Sequence, residues 1–203
     1  LNISKEEIVM WSEFRSRKLK AYRTAKSKGE VDEDIIDFLD FINSLPDFVT
    51  LSSCSGRIAV IDTPEFGKKL ETEFLGKWHG EVEVQAVIEA AKKSKKYAWL
   101  IQYPPIIHIA CRDFKSAERL LVISNNAGFR RSGLISFKNI VVEVSSLERI
   151  ELPIAYAGKM LVDSDYLRMV VEFANKKLRE GKRRLERLEE ELKKLASSNS
   201  SLP

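Results

Sequence analysis

Apolar positions near the start of the chain recur at helical spacing. Ile8, Trp11, Leu19 and Tyr22 step along one side of a stretch that opens with Ser4 and Glu7, the spacing of a capping box, and this predicts a long first helix closing at Lys28-Gly29. Between Val31 and Leu45, Ile35, Ile36, Leu39 and Ile42 face one way and Asp32, Asp34, Asp37 and Asp40 the other, an amphipathic second helix ended by Pro46. From Phe48 the period shortens. Strands are expected over Phe48–Leu51, Ile58–Ile61 and Phe74–Trp78, then a helix over Val82–Ser94. Strands over Tyr97–Tyr103 and Ile106–Cys111 flank Pro104-Pro105, and a helix from about Lys115 to Ala127 leads to Gly128 as its left-handed terminator. Three short strands, Gly133–Phe137, Ile140–Val144 and Ile150–Ile154, precede a last helix from Ser164-Asp165. Along that helix Ala174, Leu178, Gly181, Leu185, Leu188, Leu192 and Leu195 form a heptad seam.

These elements describe an α+β fold with a mixed β-sheet built from two similar strand/helix halves, about 48–94 and 97–154, between long N- and C-terminal helices. One domain is expected over 1–196, with a flexible tail over 197–203. The seam packs on the first helix or on a second copy, giving a monomer or a weak homodimer. G-x-G-x-x-G, G-x-x-x-x-G-K-[ST], H-E-x-x-H and G-x-S-x-G are all missing, so Rossmann, P-loop, zincin and hydrolase readings have no support.

A hydrophobic content of 44% allows a real core. No membrane span or secretion signal is visible, and a cytoplasmic location is expected. Cys54 and Cys111 are read as free thiols, and no zinc-ligand spacing occurs, so no metal is expected. The net charge of +4 is uneven: Arg15, Arg17, Lys18, Lys20, Arg23, Lys26 and Lys28 follow one another without an acid, a run that could meet phosphates or be a solvated helix face.

Thr50-Leu51-Ser52-Ser53-Cys54-Ser55-Gly56-Arg57 gathers hydroxyls, a thiol, a glycine and a guanidinium between two expected strands. Glycine permits close backbone approach, serines can bond a carboxylate or phosphate, and arginine can clamp an anion, so the segment reads as an anion cradle. Two residues between Cys54 and Arg57 are too few for a phosphatase loop. His79 follows a strand-like stretch; His108 sits inside an apolar strand, facing away from Cys111 because a separation of three reverses the pleat. Asn125-Asn126-Ala127-Gly128-Phe129-Arg130-Arg131-Ser132-Gly133 is a second polar cluster, its arginines beside a ring, the pairing single-stranded RNA recognition uses.

The Ser52–Arg57 segment resembles the signature region of the wybutosine-synthesis methyltransferases of tRNA-Phe. Trp78-His79, Ile107-His108-Ile109 with Cys111-Arg112, Ala127–Arg130 with Ser132-Gly133, Leu152-Pro153, Gly158-Lys159 and Asn175-Lys176-Lys177 follow in that family's order over nearly the whole chain. Thr50 departs from the serine usual there, keeping a hydroxyl. The resemblance implies a mixed α+β fold without a Rossmann sheet. It also implies methyl transfer from S-adenosylmethionine, without a metal, to ring nitrogen N(4) of the tricyclic wybutosine-precursor base 3′-adjacent to the anticodon of tRNA-Phe. On that footing the candidate catalytic residues are His79, His108, Ser53 and Cys54. Thr50, Ser52, Ser53, Gly56 and Arg57 are expected at the cofactor, and Lys28, Arg112, Asn126, Phe129, Arg130 and Ser132 at the substrate. A non-catalytic RNA- or phosphate-binding adaptor using the same segment, or a cysteine-dependent enzyme using Cys54, remains the alternative.

Overall fold

The first helix, α1 (Lys5–Ser27), ends where the run of helix formers meets Gly29, which takes a φ of +68°. The computed structural model describes residues 5–64 and 72–199, and the Ser4–Glu7 capping box lies outside the side chains described. A 3₁₀ turn over Glu33–Ile35 leads into α2 (Ile36–Ser44), which therefore starts later than the apolar pattern predicts. Asp32 is the reason: its backbone is extended, and its carboxylate accepts the Ser55 N–H at 2.8 Å rather than capping the helix.

The strands and helices that follow are β1 (Phe48–Cys54), β2 (Arg57–Thr63), β3 (Glu73–Trp78), α3 (Val84–Ala91), β4 (Tyr97–Tyr103), β5 (Ile106–Cys111) and α4 (Phe114–Asn126). The chain closes with β6 (Gly133–Ser136), β7 (Val141–Val144), β8 (Ile150–Tyr156), β9 (Lys159–Met160) and α5 (Ser164–Asn199). β1 runs further than predicted. Ser52, Ser53 and Cys54 belong to the strand, and only Ser55-Gly56 connects it to β2. The α+β class is as the sequence predicts, but the strands form two antiparallel sheets, β1-β5-β7-β6 and β3-β2-β4-β8-β9.

The two sheets belong to two compact units between which the chain passes repeatedly. The first holds residues up to Ser55, Ile106–Ser146 and Arg184 onward; the second holds Gly56–Pro105 and Leu147–Arg183. Each expected half thus contributes strands to both units.

In the first unit one sheet face packs Phe48, Ile107, Ile109 and Val142 against Leu39 and Ile42 of α2, Leu120 of α4 and Leu188 and Leu192 of α5. The other face carries Val49, Ala110 and Val141 under Trp11, Phe14 and Leu19 of α1. Arg15, from the basic run, is structural: its guanidinium donates to the carbonyl oxygens of Asn43, Leu45 and Phe48 at 2.6, 3.1 and 3.1 Å, satisfying the end of α2. In the second unit Ile58, Val60, Leu100 and Ile154 pack on Val87 and Ala91 of α3 and on Leu167, Ala174 and Leu178 of α5. Ala174, Leu178, Leu185, Leu188 and Leu192 of the heptad seam are therefore buried within the cores of the two units, while Leu195 is half-buried. No described helix is long and apolar enough to cross a membrane.

Gly181 shows how close α5 comes to the chain beneath it, because a Cβ there would lie 2.6 Å from Cδ of Pro105. Alanine would gain about 1 kcal/mol of helix propensity, while forcing a methyl against a rigid ring costs about 1–3 kcal/mol. Gly181→Ala is expected to lower the thermal midpoint by several degrees, read by calorimetry; an unchanged or raised midpoint would show that the ring yields freely.

Candidate active site

Ser52, His108 and Glu143 form a row across three adjacent strands of the first unit. β1 pairs with β5 so that Ser52 faces His108, and β5 pairs with β7 so that His108 faces Glu143. The register of β1 shifts between Thr50 and Ser52. Without that bulge the alternation would place Leu51 opposite His108 and turn Ser52 to the other face. All three side chains share the face of Ala110 and Val141, beyond the part that α1 covers: Ser52 is exposed, and the His108 and Glu143 side chains keep 29% and 31% of their surface open.

The row is hydrogen-bonded end to end. His108 Nε2 lies 2.9 Å from Glu143 Oε2, and His108 Nδ1 lies 2.8 Å from Ser52 Oγ. A carboxylate only accepts, so the ring proton sits on Nε2 and the Nδ1 lone pair receives the Ser52 hydroxyl. Ser145 Oγ donates to the second Glu143 oxygen at 3.1 Å, fixing the carboxylate from its far side. Beyond Glu143 the row meets Gly133 on β6, where a Cβ would touch nothing within 4 Å, so the ground beside the carboxylate is open. Such a chain can draw a proton through the serine hydroxyl onto the imidazole, with the carboxylate orienting the ring and stabilising its charged form.

Other residues of the signature segment have structural work. Thr50 is buried; its N–H and hydroxyl both bond the Asn43 amide, with distances of 2.8–3.2 Å, which takes up the hydroxyl that the sequence assigns to a cofactor. Ser53 points away from Ser52, Cys54 is half-buried, and Ser55 is fully buried. In the second unit Gly56 adopts a φ of +90°, and a Cβ on it would come within 3.2 Å of Pro105 and Leu178, so conformation and packing both require glycine. His79 Nδ1 donates to the Gly56 carbonyl at 3.1 Å. Arg57 faces Tyr103 across the β2–β4 ladder, and its guanidinium lies 5.7 Å from the centre of the Phe74 ring. Its buried Nε has no hydrogen-bond partner among the described residues. Burial and a hydrogen bond to Glu151 push the Tyr103 hydroxyl up to about 12, so it stays protonated beside Arg57.

The expected substrate residues divide as well. Phe129 is wholly buried in the first unit's core and cannot stack on a base, correcting that expectation: the tight turn after α4 folds its ring inward. Arg112 is held by Asp47 and Asp113, and Ser132 closes the turn by donating to the Phe129 carbonyl. Lys28, Asn126 and Arg130 are exposed. The residue that the sequence reading missed is Glu143. Its one signal is an acid set among valines in an expected strand, as His108 is a lone polar group among isoleucines, and only strand register joins them.

The comparisons with known proteins decide the family. The model of the family Methyltransferase TYW3 matches residues 5–194. The chain belongs to the TYW3 methyltransferase family. An Archaeoglobus fulgidus protein named tRNA(Phe) 7-((3-amino-3-carboxypropyl)-4-demethylwyosine(37)-N(4))-methyltransferase is 57% identical over 192 residues, 95% of this chain and 98% of that one. A Thermococcus kodakarensis protein of the same name, numbered 1, is 39% identical over 91% of this chain and 95% of its own. Among solved structures, the PH1069 protein of Pyrococcus horikoshii superposes with a TM-score of 0.85 at 38% identity, covering 88% of this chain and 94% of that one. A hypothetical protein from Aeropyrum pernix superposes with a TM-score of 0.71 at 28% identity, covering 81% of this chain and 98% of its own. This TYW3 chain is thus a methyltransferase, and its fold is the one its relatives share.

The two thiols of this family member differ sharply in environment. Cys111 is buried in the core, and burial, with Asp113 and Asp47 nearby, pushes its thiol up to about 12, so almost no thiolate exists near neutral pH. Iodoacetamide at pH 8 is expected to alkylate Cys54 and leave Cys111 unmodified until the protein is denatured, read by peptide mass spectrometry. Equal labelling of both in the native protein would contradict this assignment.

Proposed function

We propose that this TYW3 chain methylates ring nitrogen N(4) of the tricyclic wybutosine-precursor base beside the anticodon of tRNA-Phe, using S-adenosylmethionine. The names and near full-length identity of its relatives support the substrate. The Ser52–His108–Glu143 row is the observation that carries the chemistry.

S-adenosylmethionine supplies, when bound, a methyl group already activated on sulfur for transfer to nitrogen. Arg57 fits the carboxylate of its amino-acid end, because that guanidinium has a buried Nε without a partner and is oriented by the Phe74 ring. What remains for the protein is the proton that N(4) gives up on becoming methylated. Ser52 Oγ accepts it while passing its own proton to His108 Nδ1, and Glu143 holds the resulting imidazolium. Among the described residues the Glu143 side chain bonds the imidazole and Ser145, and it is therefore a positioning residue.

His108→Ala is expected to lower kcat for methylation of precursor tRNA by about 100-fold, the low end for loss of a general base. Glu143→Gln should reproduce part of that loss with KM for tRNA little changed, since it keeps a partner for the ring but not the charge. Activity equal to wild type in both variants would remove the relay. Arg57→Ala is expected to weaken S-adenosylmethionine binding at least tenfold, about 1.4 kcal/mol, by isothermal titration. If the unaltered protein showed no saturable cofactor binding, it would be an RNA-binding adaptor instead of an enzyme.

A further inference from the structure

With Phe129 folded inward, the aromatic rings open to solvent include Phe114, 56% exposed, and Phe137, 75% exposed. Both belong to the first unit, and they sit against each other with ring centres 6.5 Å apart and planes tilted by 48°. They stand at one end of a groove of about 470 Å³ that follows α4 and is closed on one side by β6, lined by Leu121, Val122, Asn125, Asn126 and Leu134. With 13 residues, α4 is roughly 20 Å long.

The charge around this groove is one-sided. Lys115 and Lys138 adjoin the two rings in sequence, and Arg130 and Arg131 follow in the turn after α4. All four are exposed, and none has a side-chain ion pair or hydrogen bond among the described residues. Asp113, at the start of α4, is neutralised by Arg112 and caps the helix through Ser116 N–H, and Glu118 is the acid on the groove wall. Two phenylalanine rings set against each other in water, with exposed lysines next to them in sequence, are a surface of the kind interaction sites present. A second copy docked about a two-fold axis would bring the same four cations against themselves. A polyanion carrying flat apolar rings fits both features, because its phosphates meet the cations and its bases meet the phenylalanines.

We propose that the α4–β6 groove is a contact site for an unpaired segment of tRNA, with at least one base stacked on Phe114 or Phe137 and flanking phosphates held by Lys115, Lys138, Arg130 and Arg131. The proposal rests on the tRNA reading above and adds to it a site separate from the Ser52–His108–Glu143 row. Base–aromatic stacking tolerates any base, so the groove contributes affinity and register instead of sequence selection.

The test is equilibrium binding of full-length tRNA-Phe transcript to the intact protein at several salt concentrations. Phe114→Leu/Phe137→Leu keeps the surface apolar but removes the rings, and is expected to raise Kd about tenfold, whereas Phe137→Tyr retains binding. Lys115→Gln/Lys138→Gln should lower the slope of log K against log salt by about 1.4, two single-strand phosphate contacts. Wild-type affinity and slope in these variants would overturn the groove while leaving the tRNA reading intact. A changed oligomeric state in sedimentation with unchanged tRNA affinity would overturn it in favour of self-association. Failure of the unaltered protein to bind tRNA would overturn the parent reading together with this one.

Discussion

The register of β1 against β5 is the constraint from which the candidate site follows. Ser52 and His108 lie 56 residues apart, and their bond depends on the single displaced residue at Leu51. Because side chains alternate from face to face, that one bulge decides whether the serine hydroxyl meets an imidazole or turns toward the core. Thr50, one step before it, is fastened to Asn43 of α2 through three hydrogen bonds, and Ser55, four steps after, is fastened to Asp32. Buried polar groups that are left unpaired cost about 1–3 kcal/mol each, so these anchors hold the strand in one register.

The same pairing rule separates the polar residues of the signature segment that have structural partners from those that stay open to solvent. Thr50, Ser55 and Gly56 are buried and satisfied by packing or hydrogen bonds inside their own units, whereas Ser52 is exposed at the end of a relay. Arg57 differs again, since its Nε is buried without a partner among the described residues, an arrangement that costs stability. Charge divides in a like manner. Arg15 and Arg112 look like phosphate-binding cations in the sequence but are tied to helix-end carbonyls and to Asp47, while Lys115 and Lys138, next to the exposed rings in sequence, and Arg130 and Arg131, after the other end of α4, are exposed without side-chain partners among the described residues.

Hydrophobic periodicity was enough for nearly every element, because a strand or helix must turn one face to the core whatever its neighbours are. The ends of α4 and the glycine after it, β4, β5 and the start of α5 fall within a residue or two of their expected places. The start of α2 and the length of β1 did not, since Asp32 and the serines are polar residues whose roles depend on partners far along the chain. By itself the sequence determined the α+β class, the absence of a nucleotide-binding glycine fingerprint and the likeness to a methyltransferase family, and it singled out Ser52–Arg57 and His108 as candidates, all of which rest on local pattern. Only the tertiary structure decided that the strands form two sheets, that Phe129 is core and Phe114 and Phe137 are surface, and that Glu143 completes a row with His108 and Ser52. Those facts depend on which strands pair and in what register, and pairing is fixed by contacts between residues that no local pattern connects.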